Sequence, residues 1–595
     1  MKTFVEGLEN LARRFPNKPA IVYGKNRDVI TWKQLDERTN ALANAFLDLG
    51  AKRDERIAFS LYNDHETIEC TYACWKIAAA PVNVHYKYFE NEIYYVMDRE
   101  DATLAVFEED LIDRMIKIRP DLKKVRNYIV VGKKTPKGMY NYEELIKKYP
   151  KTRPKLDWAP LKETDVGYNL MTGGTTGYPK GAVYSQRDML GTLQRALLTQ
   201  IVPLIGRWGK APKNLFDAMN RISPLPLGTL LYSLRPLITN PTIAELVGAI
   251  AKAVPYNLFV RILDFLPYFT AGRLHGLILA PMIHGAAWVN AVGYQMMGAG
   301  VHFLPTEERF IGEEMAETIE REKINIILMV GDAVAKPMLD ALEKGQYDTS
   351  SVWAILQMGA IMTAPIKRRL TKAVPSALIV DLFSGTEMWA AAAQVYTASD
   401  TEEEIEKMTF KLTPDIRVVN ELESGTLVDV KPGETGEVIT HSDLRFDANY
   451  YGEPDKSKKT FRMIDGKQWI FTGDLGSITD DGKSFYLLGR GSLCINTGGE
   501  KVYVEEVEEL IETNPKVKKA AIAGVPDERW GEAVTAVIQL KEGEKATEDE
   551  IRDFCRDKIA GYKIPKHVIF VDEVPVGVTG KCEYKKAKEI ALKKL

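Results

Sequence analysis

Hydrophobic and polar residues alternate along the chain with two different periods. Residues 38–49 carry apolar side chains at helical spacing, and residues 56–61 (RIAFSL) form a short apolar run that is typical of a buried strand. A second alternating block extends from about 275 to 395, with apolar runs at 326–330 (IILMV) and 377–381 (ALIVD). This alternation predicts an α/β fold in which helices cover layered sheets.

The pattern changes twice toward the C-terminal end. Residues from about 410 to 488 form short β segments separated by Gly, Pro and Asp, which predicts a small β subdomain. The residues after that are richer in Lys and Glu and indicate a small α+β domain. We therefore predict a large N-terminal domain over residues 1–489, made of two layered α/β subdomains and the β subdomain, and a C-terminal domain over residues 490–595.

Composition excludes several classes of protein. Hydrophobic residues make up 45% of the chain and charged residues 27%, values typical of a globular protein. The net charge of −3 gives no overall attraction to nucleic acid, so an anionic ligand must be held by a local site. Five cysteines without paired metal-ligand spacing indicate reduced thiols in a cytoplasm. The N-terminus lacks an apolar leader and the longest uncharged stretch, 274–305, is interrupted by polar residues, so we expect no membrane span.

The strongest local signal is a loop of small and hydroxylated residues at 171–181 (MTGGTTGYPKG), which follows a strand-like run. Glycines let backbone N–H groups approach a polyphosphate, threonine hydroxyls add donors, and Lys180 supplies a point charge. The loop is not a Walker P-loop, because Lys180 is preceded by Pro179 and followed by Gly181. Composition alone would fit a surface turn equally well.

The loop resembles the signature phosphate loop of adenylate-forming enzymes, which include acyl-CoA synthetases, peptide-synthetase adenylation domains and firefly-type luciferases. Gly173 stands where that pattern usually has serine. The resemblance implies that ATP is bound by Thr172, Gly173, Gly174, Thr176 and Gly177. It further implies that Thr175 and Lys180 take part in catalysis and that Thr175 is a ligand of Mg²⁺.

Two further stretches resemble the nucleotide motifs of the same superfamily. Residues 383–387 (FSGTE) resemble the motif in which Thr386 contacts the α-phosphate and Glu387, also a catalytic residue, holds Mg²⁺. Residues 358–361 (MGAI) resemble the Gly-Ala-Pro segment that lines the adenine and acyl pockets, with Ile361 in place of the proline. The nucleotide contacts implied here are Gly359, Ala360, Ser384, Gly385 and Thr386.

The remaining motifs resemble those that serve the ribose and coenzyme A (CoA). Residues 472–475 (TGDL) resemble the ribose motif, with Asp474 as the acceptor, and Arg490 is expected near the same sugar. The hinge position falls on Ser492, where relatives often carry Asp or Lys. Residues 496–502 (NTGGEKV) resemble the loop beside the pantetheine tunnel, where a side chain at Gly498 or Gly499 would block the thiol.

Residues 575–581 (PVGVTGK) resemble the terminal motif whose lysine, here Lys581, catalyses adenylation. The resemblance implies a mobile C-terminal domain. Its rotation about Ser492 would withdraw Lys581 and present Gly498 and Gly499, so that one cavity serves two half-reactions.

Two stretches point to an apolar acid as the substrate. Residues 280–286 (APMIHGA) and 330–337 (VGDAVAKP) resemble fatty-acyl and steroid-side-chain CoA synthetases, in which the residue at His284 lies between the nucleotide and acyl sites. The implied function is an ATP-dependent acyl-CoA synthetase acting on a fatty, alicyclic or steroid-side-chain acid. The alternative is an acyl-AMP ligase that delivers its acyl group to a separate carrier protein. A luciferase-like oxygenation would be a secondary activity, and a non-enzymatic binding protein would be expected to lack Lys581 or Glu387, which are both present.

Lys180 and His284 lie farther apart than in relatives, which indicates an apolar insertion over residues about 187–272. A helix is expected to begin at Pro241, and one apolar stripe on it consists of Ile243, Leu246, Val247 and Ile250. Two interpretations stay open. The apolar insertion either fills the domain's own core, or it walls an acyl tunnel, docks a homodimer partner or contacts a membrane surface.

Overall fold

A computed structural model of the 595-residue chain describes most of its residues. The described residues are 2–173, 179–199, 209, 211–238, 240–304, 311–359, 362–388, 391–406, 409–422, 425–441, 449–490, 494–575 and 582–595.

A mixed sheet of eight strands contains most of the strands of the first 185 residues: β3 (Arg56–Ser60), β4 (Ala80–Asn83), β5 (Ala102–Glu108), β6 (Asn127–Val131), β7 (Tyr140–Asn141), β8 (Val166–Gly173), β9 (Pro179–Ser185) and β20 (Asn449–Tyr450). Their order is β20-β9-β8-β4-β3-β5-β6-β7. The central strands pair in parallel, and β8 and β9 form an antiparallel hairpin.

A second mixed sheet, also of eight strands, combines the N-terminus with the second alternating block: β1 (Pro19–Tyr23), β2 (Asp28–Thr31), β10 (His275–Ile278), β11 (Gly300–His302), β12 (Ile326–Met329), β13 (Ala354–Met358), β14 (Leu378–Phe383) and β15 (Ala392–Tyr396). The order is β15-β14-β13-β12-β10-β11-β1-β2. Strands β10 to β14 pair in parallel, and β12 is buried throughout, as expected for a strand covered on both faces.

The described helices before residue 410 are α1 (Phe4–Arg14), α2 (Trp32–Asp48), α3 (His65–Lys76), α4 (Glu90–Arg99), α5 (Ile112–Ile118), α6 (Tyr142–Lys148), α7 (Gln186–Thr199), α8 (Lys213–Met219), α9 (Leu227–Ile238), α10 (Pro241–Lys252), α11 (Tyr256–Phe265), α12 (Pro267–Thr270), α13 (Gly285–Met296), α14 (Gly312–Arg321), α15 (Gly331–Lys344), α16 (Ala364–Ala373) and α17 (Glu402–Glu406). Helices α1, α2, α3 and α13 share one hydrophobic core with both sheets. In that core the rings of Tyr168 and Trp288 meet edge to face, with their centroids 4.3 Å apart.

A third, antiparallel sheet occupies the region of the expected β subdomain: β16 (Thr409–Lys411), β17 (Ile416–Glu421), β18 (Leu427–Asp429), β19 (Thr435–His441), β21 (Phe461–Ile464), β22 (Lys467–Ile478) and β23 (Ser484–Arg490). Helix α18 (Pro454–Thr460) packs against it.

The last part of the chain forms a separate layer of sheet and helices. Its strands are β24 (Cys494–Thr497), β25 (Glu500–Tyr503), β26 (Val517–Asp527), β27 (Gly531–Leu540) and β28 (His567–Phe570), and its helices are α19 (Val504–Glu512), α20 (Glu548–Cys555) and α21 (Tyr584–Lys594). Val507, Ile522 and Ile551 belong to a hydrophobic core of its own. The predicted fold class, α/β with a small C-terminal α+β unit, is confirmed, whereas the division at residue 490 stays a prediction.

The described residues of the apolar insertion form mainly short helices, including α8 to α12. Helix α10 begins where the sequence predicts, because the Asn240 side chain accepts hydrogen bonds from the backbone N–H groups of Thr242 and Ile243. On that helix Leu246 and Ile250 remain 58% and 59% exposed. The stripe therefore does not fill the domain's own core at these two positions. Among the described residues, no helix is long and apolar enough to cross a bilayer.

Candidate functional site

The predicted phosphate loop connects the two strands of the β8–β9 hairpin. Across these strands Thr172 pairs with Lys180 and Gly173 with Pro179. The hairpin therefore holds both ends of the loop at fixed positions. The residues of the turn itself lie outside the described part of the chain, namely Gly174, Thr175, Thr176 and Gly177.

Lys180 is a buried cation at the end of this hairpin, with only 4% of its surface exposed. Its ammonium lies 5.5 Å from the ring centroid of Tyr450, and no described carboxylate forms an ion pair with it. Burial and the positive charge of Lys456 lower the pKa of Lys180 to about 8. A bound anion would stabilise the charged ammonium and so offset both effects, which makes the position suitable for a phosphate group.

Glu387, which follows β14, is held in place by two hydrogen bonds. Its Oε1 accepts from the Thr172 hydroxyl at 3.3 Å and from the Tyr450 hydroxyl at 2.7 Å. Glu387, Tyr450 and Lys180 line a cavity of about 470 Å³, whose other lining residues are mainly polar or charged. In proteins, Mg²⁺ is usually held by one or two carboxylates together with substrate phosphates. Glu387 would supply the carboxylate, and Lys180 at the same cavity suits the phosphates.

The predicted nucleotide contacts come from the carboxyl ends of two neighbouring strands. Gly359 follows β13, while Ser384, Gly385 and Thr386 follow β14, and these strands pair in parallel. Such strand ends meet at one edge of the sheet, and all four residues line one further cavity of about 430 Å³. Ala360 and Ile361 lie outside the described residues.

Away from Ser384 the same cavity becomes apolar. Its inner wall is made of aliphatic and aromatic side chains from α7, the apolar insertion and the second sheet, including Leu193, Leu197, Ile222, Leu266, Leu274, Met297 and Trp353. A cavity with a polar end and an apolar interior suits an amphipathic acid whose carboxylate stays at the polar end.

His284, at the N-cap of α13, lines this cavity between its polar end and its apolar interior. Its Nε2 is 3.2 Å from the Oε2 of Glu500, a distance short enough for an ion pair, although the two groups are not aligned as a hydrogen bond. Glu500 therefore brings a carboxylate from β25 to the boundary between the predicted nucleotide and acyl sites.

A second histidine, His85, holds the other oxygen of Glu500. The His85 Nε2 is 3.1 Å from Glu500 Oε1, and the His85 Nδ1 accepts from the backbone N–H of Lys87. Burial lowers the pKa of His85, so the neutral ring donates its Nε2 hydrogen to Glu500. Burial opposes ionisation of Glu500, but His85 and His284 together lower its pKa well below the usual value.

The glycine pair of the predicted CoA loop lies against the second sheet. Gly499 has a φ of +87°, and a β-carbon at this position would come within 2.7 Å of the Val330 side chain. A β-carbon at Gly498 would come within 2.7 Å of the Trp530 ring. The Asn496 amide donates a hydrogen bond of 3.2 Å to the backbone oxygen of Gly359. Only residues without a side chain fit in this loop as it is placed.

Asp474 lies on β22, beside the cavity that contains the glycine pair. It is buried, accepts a hydrogen bond from the Thr472 hydroxyl, and lines a cavity of about 580 Å³ with Ser384, Gly498 and Gly499. The backbone of Arg490 pairs with Asp474, whereas its side chain is not among the described atoms. The structure thus brings the predicted ribose acceptor close to the predicted CoA loop.

A buried group of charges, the Lys563 cluster (Glu92, Glu506 and Lys563), lies next to His85. The Lys563 ammonium is 2.5 Å from Glu92 of α4 and 2.6 Å from Glu506 of α19. Burial opposes the charge on Lys563, but Tyr88 and the two carboxylates raise its pKa above the usual value. The ring of Tyr562 stacks on His85, with centroids 5.4 Å apart. These contacts join the last part of the chain to the first sheet.

The sequence motifs do not point to the residues of these contacts. Glu500 lies within the stretch that resembles the CoA loop, but it was not selected, and Lys563 lies outside the stretches named above. His85 and Glu92 carry no local signal, because their partners are 415 and 471 residues away along the chain. Lys581 and Ser492 lie outside the described residues.

Comparison with known proteins identifies the family. The model of the AMP-binding enzyme family matches residues 8–209 and 263–446, and that of the AMP-binding enzyme C-terminal domain matches residues 506–581. The family model leaves 210–262 unmatched, a segment inside the apolar insertion.

Three similar proteins illustrate the match. The chain is 31% identical over 569 residues to a 3-oxocholest-4-en-26-oate–CoA ligase of Rhodococcus rhodochrous, an alignment that covers 94% of this chain and 91% of the relative. It is 30% identical over 577 residues to a medium/long-chain-fatty-acid–CoA/3-oxocholest-4-en-26-oate–CoA ligase of Mycobacterium tuberculosis, covering 96% and 93% of the two chains. The solved structure of the amide bond synthetase McbA from Marinactinospora thermotolerans has the same fold, with a TM-score of 0.72, 20% identity and 99% of each chain covered.

These matches agree with the resemblance found in the sequence motifs. They extend over both the large N-terminal part and the C-terminal part of the chain. The chain therefore belongs to the AMP-binding, adenylate-forming enzymes, as an acid–thiol ligase that uses ATP and CoA.

Proposed function

We propose that this ligase activates an apolar carboxylic acid of the fatty, alicyclic or steroid-side-chain class. The observation that carries the proposal is the cavity that extends from Ser384 and Thr386 past His284 into an apolar interior. Each buried methylene contributes roughly 0.8 kcal/mol, so an apolar interior favours acids with large apolar groups. The names of the relatives in Rhodococcus and Mycobacterium, which include fatty acids and a steroid side chain, support the same class.

In the first half-reaction a carboxylate oxygen of the acid bonds to the α-phosphorus of ATP, and pyrophosphate leaves. Negative charge builds on the phosphoryl oxygens, and we assign its stabilisation to Lys581, Lys180 and Thr175. Glu387 and Thr175 would hold Mg²⁺, which supplies further neutralisation of phosphate charge. The remaining contacts to ATP are assigned to Thr172, Gly173, Gly174, Thr176, Gly177, Gly359, Ala360, Ser384, Gly385, Thr386, Asp474 and Arg490.

In the second half-reaction the CoA thiol sulfur bonds to the acyl carbon, and AMP leaves. We assign the thiol's path to the loop of Gly498 and Gly499, and the boundary between acyl and nucleotide sites to His284. The two steps need different placements of residues 490–595 relative to 1–489, with Ser492 as the hinge. The contacts of Gly499 with Val330 and of Lys563 with Glu92 support the view that the structure has the thioester-forming placement.

We also propose that the enzyme works in the cytoplasm. Cys70, Cys74, Cys555 and Cys582 are free, and three of them are buried, which fits a reducing compartment.

The test is release of pyrophosphate with a panel of fatty, aromatic, alicyclic and steroid acids, each with and without CoA. We expect turnover with apolar acids and acyl-CoA only when CoA is present. Preference for short polar acids would contradict the proposed substrate class. Acyl-AMP that accumulates with CoA present, and is consumed only by a carrier-protein thiol, would favour an acyl-AMP ligase instead.

A further inference from the structure

The apolar insertion carries an unusual share of the exposed apolar surface. Of the twenty-one large hydrophobic side chains that are exposed among the described residues, eleven lie between Leu225 and Tyr268. The other ten are scattered over the rest of the described chain. Single exposed hydrophobic residues are ordinary, but a concentration of this kind marks a surface that contacts something other than water.

These side chains follow helical spacing, so each helix turns one apolar stripe outward. On α9 the exposed residues are Leu227, Leu230, Leu234 and Leu237, spaced three or four residues apart. On α11 they are Leu258, Ile262 and Phe265. We call these stripes, with Leu246 and Ile250 of α10, the exposed apolar face.

Helix α11 is firmly attached to the protein by its opposite side. Phe259, Val260 and Leu263 are buried in the main hydrophobic core. Asp264 forms an ion pair of 3.2 Å with Arg14 of α1, which also donates a hydrogen bond to the Asp264 backbone oxygen. Because the opposite side of α11 already packs in the core, the domain does not need the outward stripe for its own packing.

Residues next to the exposed apolar face along the chain line the acyl cavity. Phe265 is 60% exposed, and the next residue, Leu266, lines the cavity. Ile222, just before α9, and Thr270, at the end of α12, line it as well. The same short helices thus border both the apolar interior and the outside surface.

Charge on this segment favours an anionic surface. Residues 211–270 contain five basic and three acidic side chains, although the whole chain has a net charge of −3. Arg221 and Arg261 are exposed and form no ion pair with a described residue, while Asp264 is neutralised by Arg14. A two-fold interface with a second copy would place this basic face against itself, whereas anionic phospholipid headgroups complement it.

We propose that the exposed apolar face docks on the surface of an anionic phospholipid bilayer, from which the apolar acid enters the cavity. The helices would lie in the interfacial plane, with their leucines among the acyl chains and Arg221 and Arg261 at the headgroups. The proposal rests on the proposed function, because only an apolar acid partitions into a bilayer.

The test is flotation of the full-length protein with vesicles, in the absence of substrates. One set of vesicles contains phosphatidylcholine and phosphatidylglycerol, and the other contains phosphatidylcholine alone. The variant Leu230→Gln/Leu234→Gln/Ile262→Gln polarises the face. The matched control, Leu422→Gln/Met463→Gln/Leu592→Gln, changes three exposed hydrophobic residues elsewhere in the chain. Thermal unfolding and turnover of a short, water-soluble acid report whether each variant remains folded.

We expect the unmodified protein and the control variant to float with the mixed vesicles, and the polarised variant to bind at least about tenfold more weakly. Arg221→Gln/Arg261→Gln should weaken binding to the mixed vesicles more than to phosphatidylcholine alone. Equal flotation of the polarised variant would overturn the proposal. So would a soluble dimer that fails to float and that the polarised variant dissociates, since the face would then belong to a second copy. Flotation is measured without turnover, so an error in the proposed acid class would leave it unchanged and would appear only in the acid panel.

Discussion

Two regions of this enzyme depart from the usual placement of side chains: one buries charged groups, and the other exposes apolar ones. Where the last part of the chain meets the first sheet, charged groups are buried: Lys563 between Glu92 and Glu506, and Glu500 beside His85 and His284. On the apolar insertion, leucines and isoleucines face outward instead. Buried charge is costly unless its partners are in place, and exposed apolar surface is costly in water.

The two regions differ in where the groups that contact them lie. The buried charges have their partners within the chain, but only while the C-terminal residues keep this placement. The exposed apolar face lacks a partner in the described chain. The first region therefore bears on the proposed exchange between two placements of residues 490–595, and the second bears on the proposed contact with a surface outside the protein.

The largest effect is expected for Lys581, which is assigned to acyl-AMP formation and not to the group of buried charges. We expect Lys581→Ala to slow acyl-AMP formation by roughly 10² to 10³, the usual effect of losing one preorganised donor. Conversion of supplied acyl-AMP and CoA to thioester should be largely unaffected. Separate measurement of the rates of acyl-AMP formation and thioester formation tests this assignment. Equal losses in both rates would show that Lys581 is misassigned.

The Lys563 cluster can be broken directly by Lys563→Met, which leaves Glu92 and Glu506 buried without their cation. Removing one partner of a buried ion pair typically costs about 3–5 kcal/mol, although protonation of a carboxylate recovers part of this. We expect thioester formation from supplied acyl-AMP to fall at least about tenfold, while adenylation changes little.

The matched control is Lys516→Met, which breaks an exposed ion pair with Glu550 in the same part of the chain. Exposed pairs contribute roughly 0–1 kcal/mol, so both half-reactions should stay near their original rates. If Lys563→Met slows adenylation as much as thioester formation, the cluster is a general stabiliser and not specific to one placement.

Gly499→Val tests the same interface by steric means. The φ of +87° disfavours any side chain, and the β-carbon would lie 2.7 Å from Val330 Cγ1. We expect the CoA-dependent step to slow by about tenfold or more with adenylation largely spared, because the loop cannot occupy this position without displacing Val330. An unchanged rate of thioester formation would refute the assignment of this loop to the thiol's path.

A smaller effect concerns Lys180, the buried cation without a described ion-pair partner. Because its pKa is lowered to about 8, the ammonium loses its proton as pH rises through that value in the enzyme without ATP. We expect kcat/KM for ATP to fall across that range, since this ratio reports the ionisation of the free enzyme. In Lys180→Arg the guanidinium stays charged and this decline should disappear, whatever the variant's absolute rate; a decline that persists would assign the titration to another group.

The smallest change in the free energy of unfolding is expected for a substitution on the exposed apolar face, and a buried residue of α11 provides the comparison. Leu263→Ala removes a fully buried side chain of α11 and should lower the free energy of unfolding by about 2–5 kcal/mol. Leu234→Ala removes an outward side chain of α9 and should change it by less than about 0.5 kcal/mol. Urea unfolding of both variants gives the comparison. Similar losses would mean that Leu234 is buried in solution, for instance against a second copy.

Much of the candidate site could be predicted from the sequence, because its residues lie in short stretches whose neighbours identify them. Glu387, which follows β14, and Asp474, which lies on β22, are examples, and each lies beside a cavity. Glu92 and His85 could not be found in this way, because contacts across more than 400 residues depend on how the whole chain folds.

The apolar insertion shows a different limit of sequence reasoning. Helical periodicity predicted the stripe on α10, but periodicity only groups residues on one face and does not state what that face contacts. Leu246 and Ile250 belong to the stripe and yet face outward. The exposed fractions of Leu246 and Ile250, together with the packing of α11 in the core, distinguish surface from core in this segment.

We propose that this chain couples acyl adenylation to thioester formation on an apolar acid. The product balance for a medium-chain fatty acid, with ATP, CoA and Mg²⁺, tests this coupling most directly and is measured by chromatography of all nucleotides and acyl products. We expect one AMP, one pyrophosphate and one acyl-CoA for each ATP consumed. Formation of ADP and phosphate, or release of AMP and pyrophosphate without acyl-CoA, would contradict it.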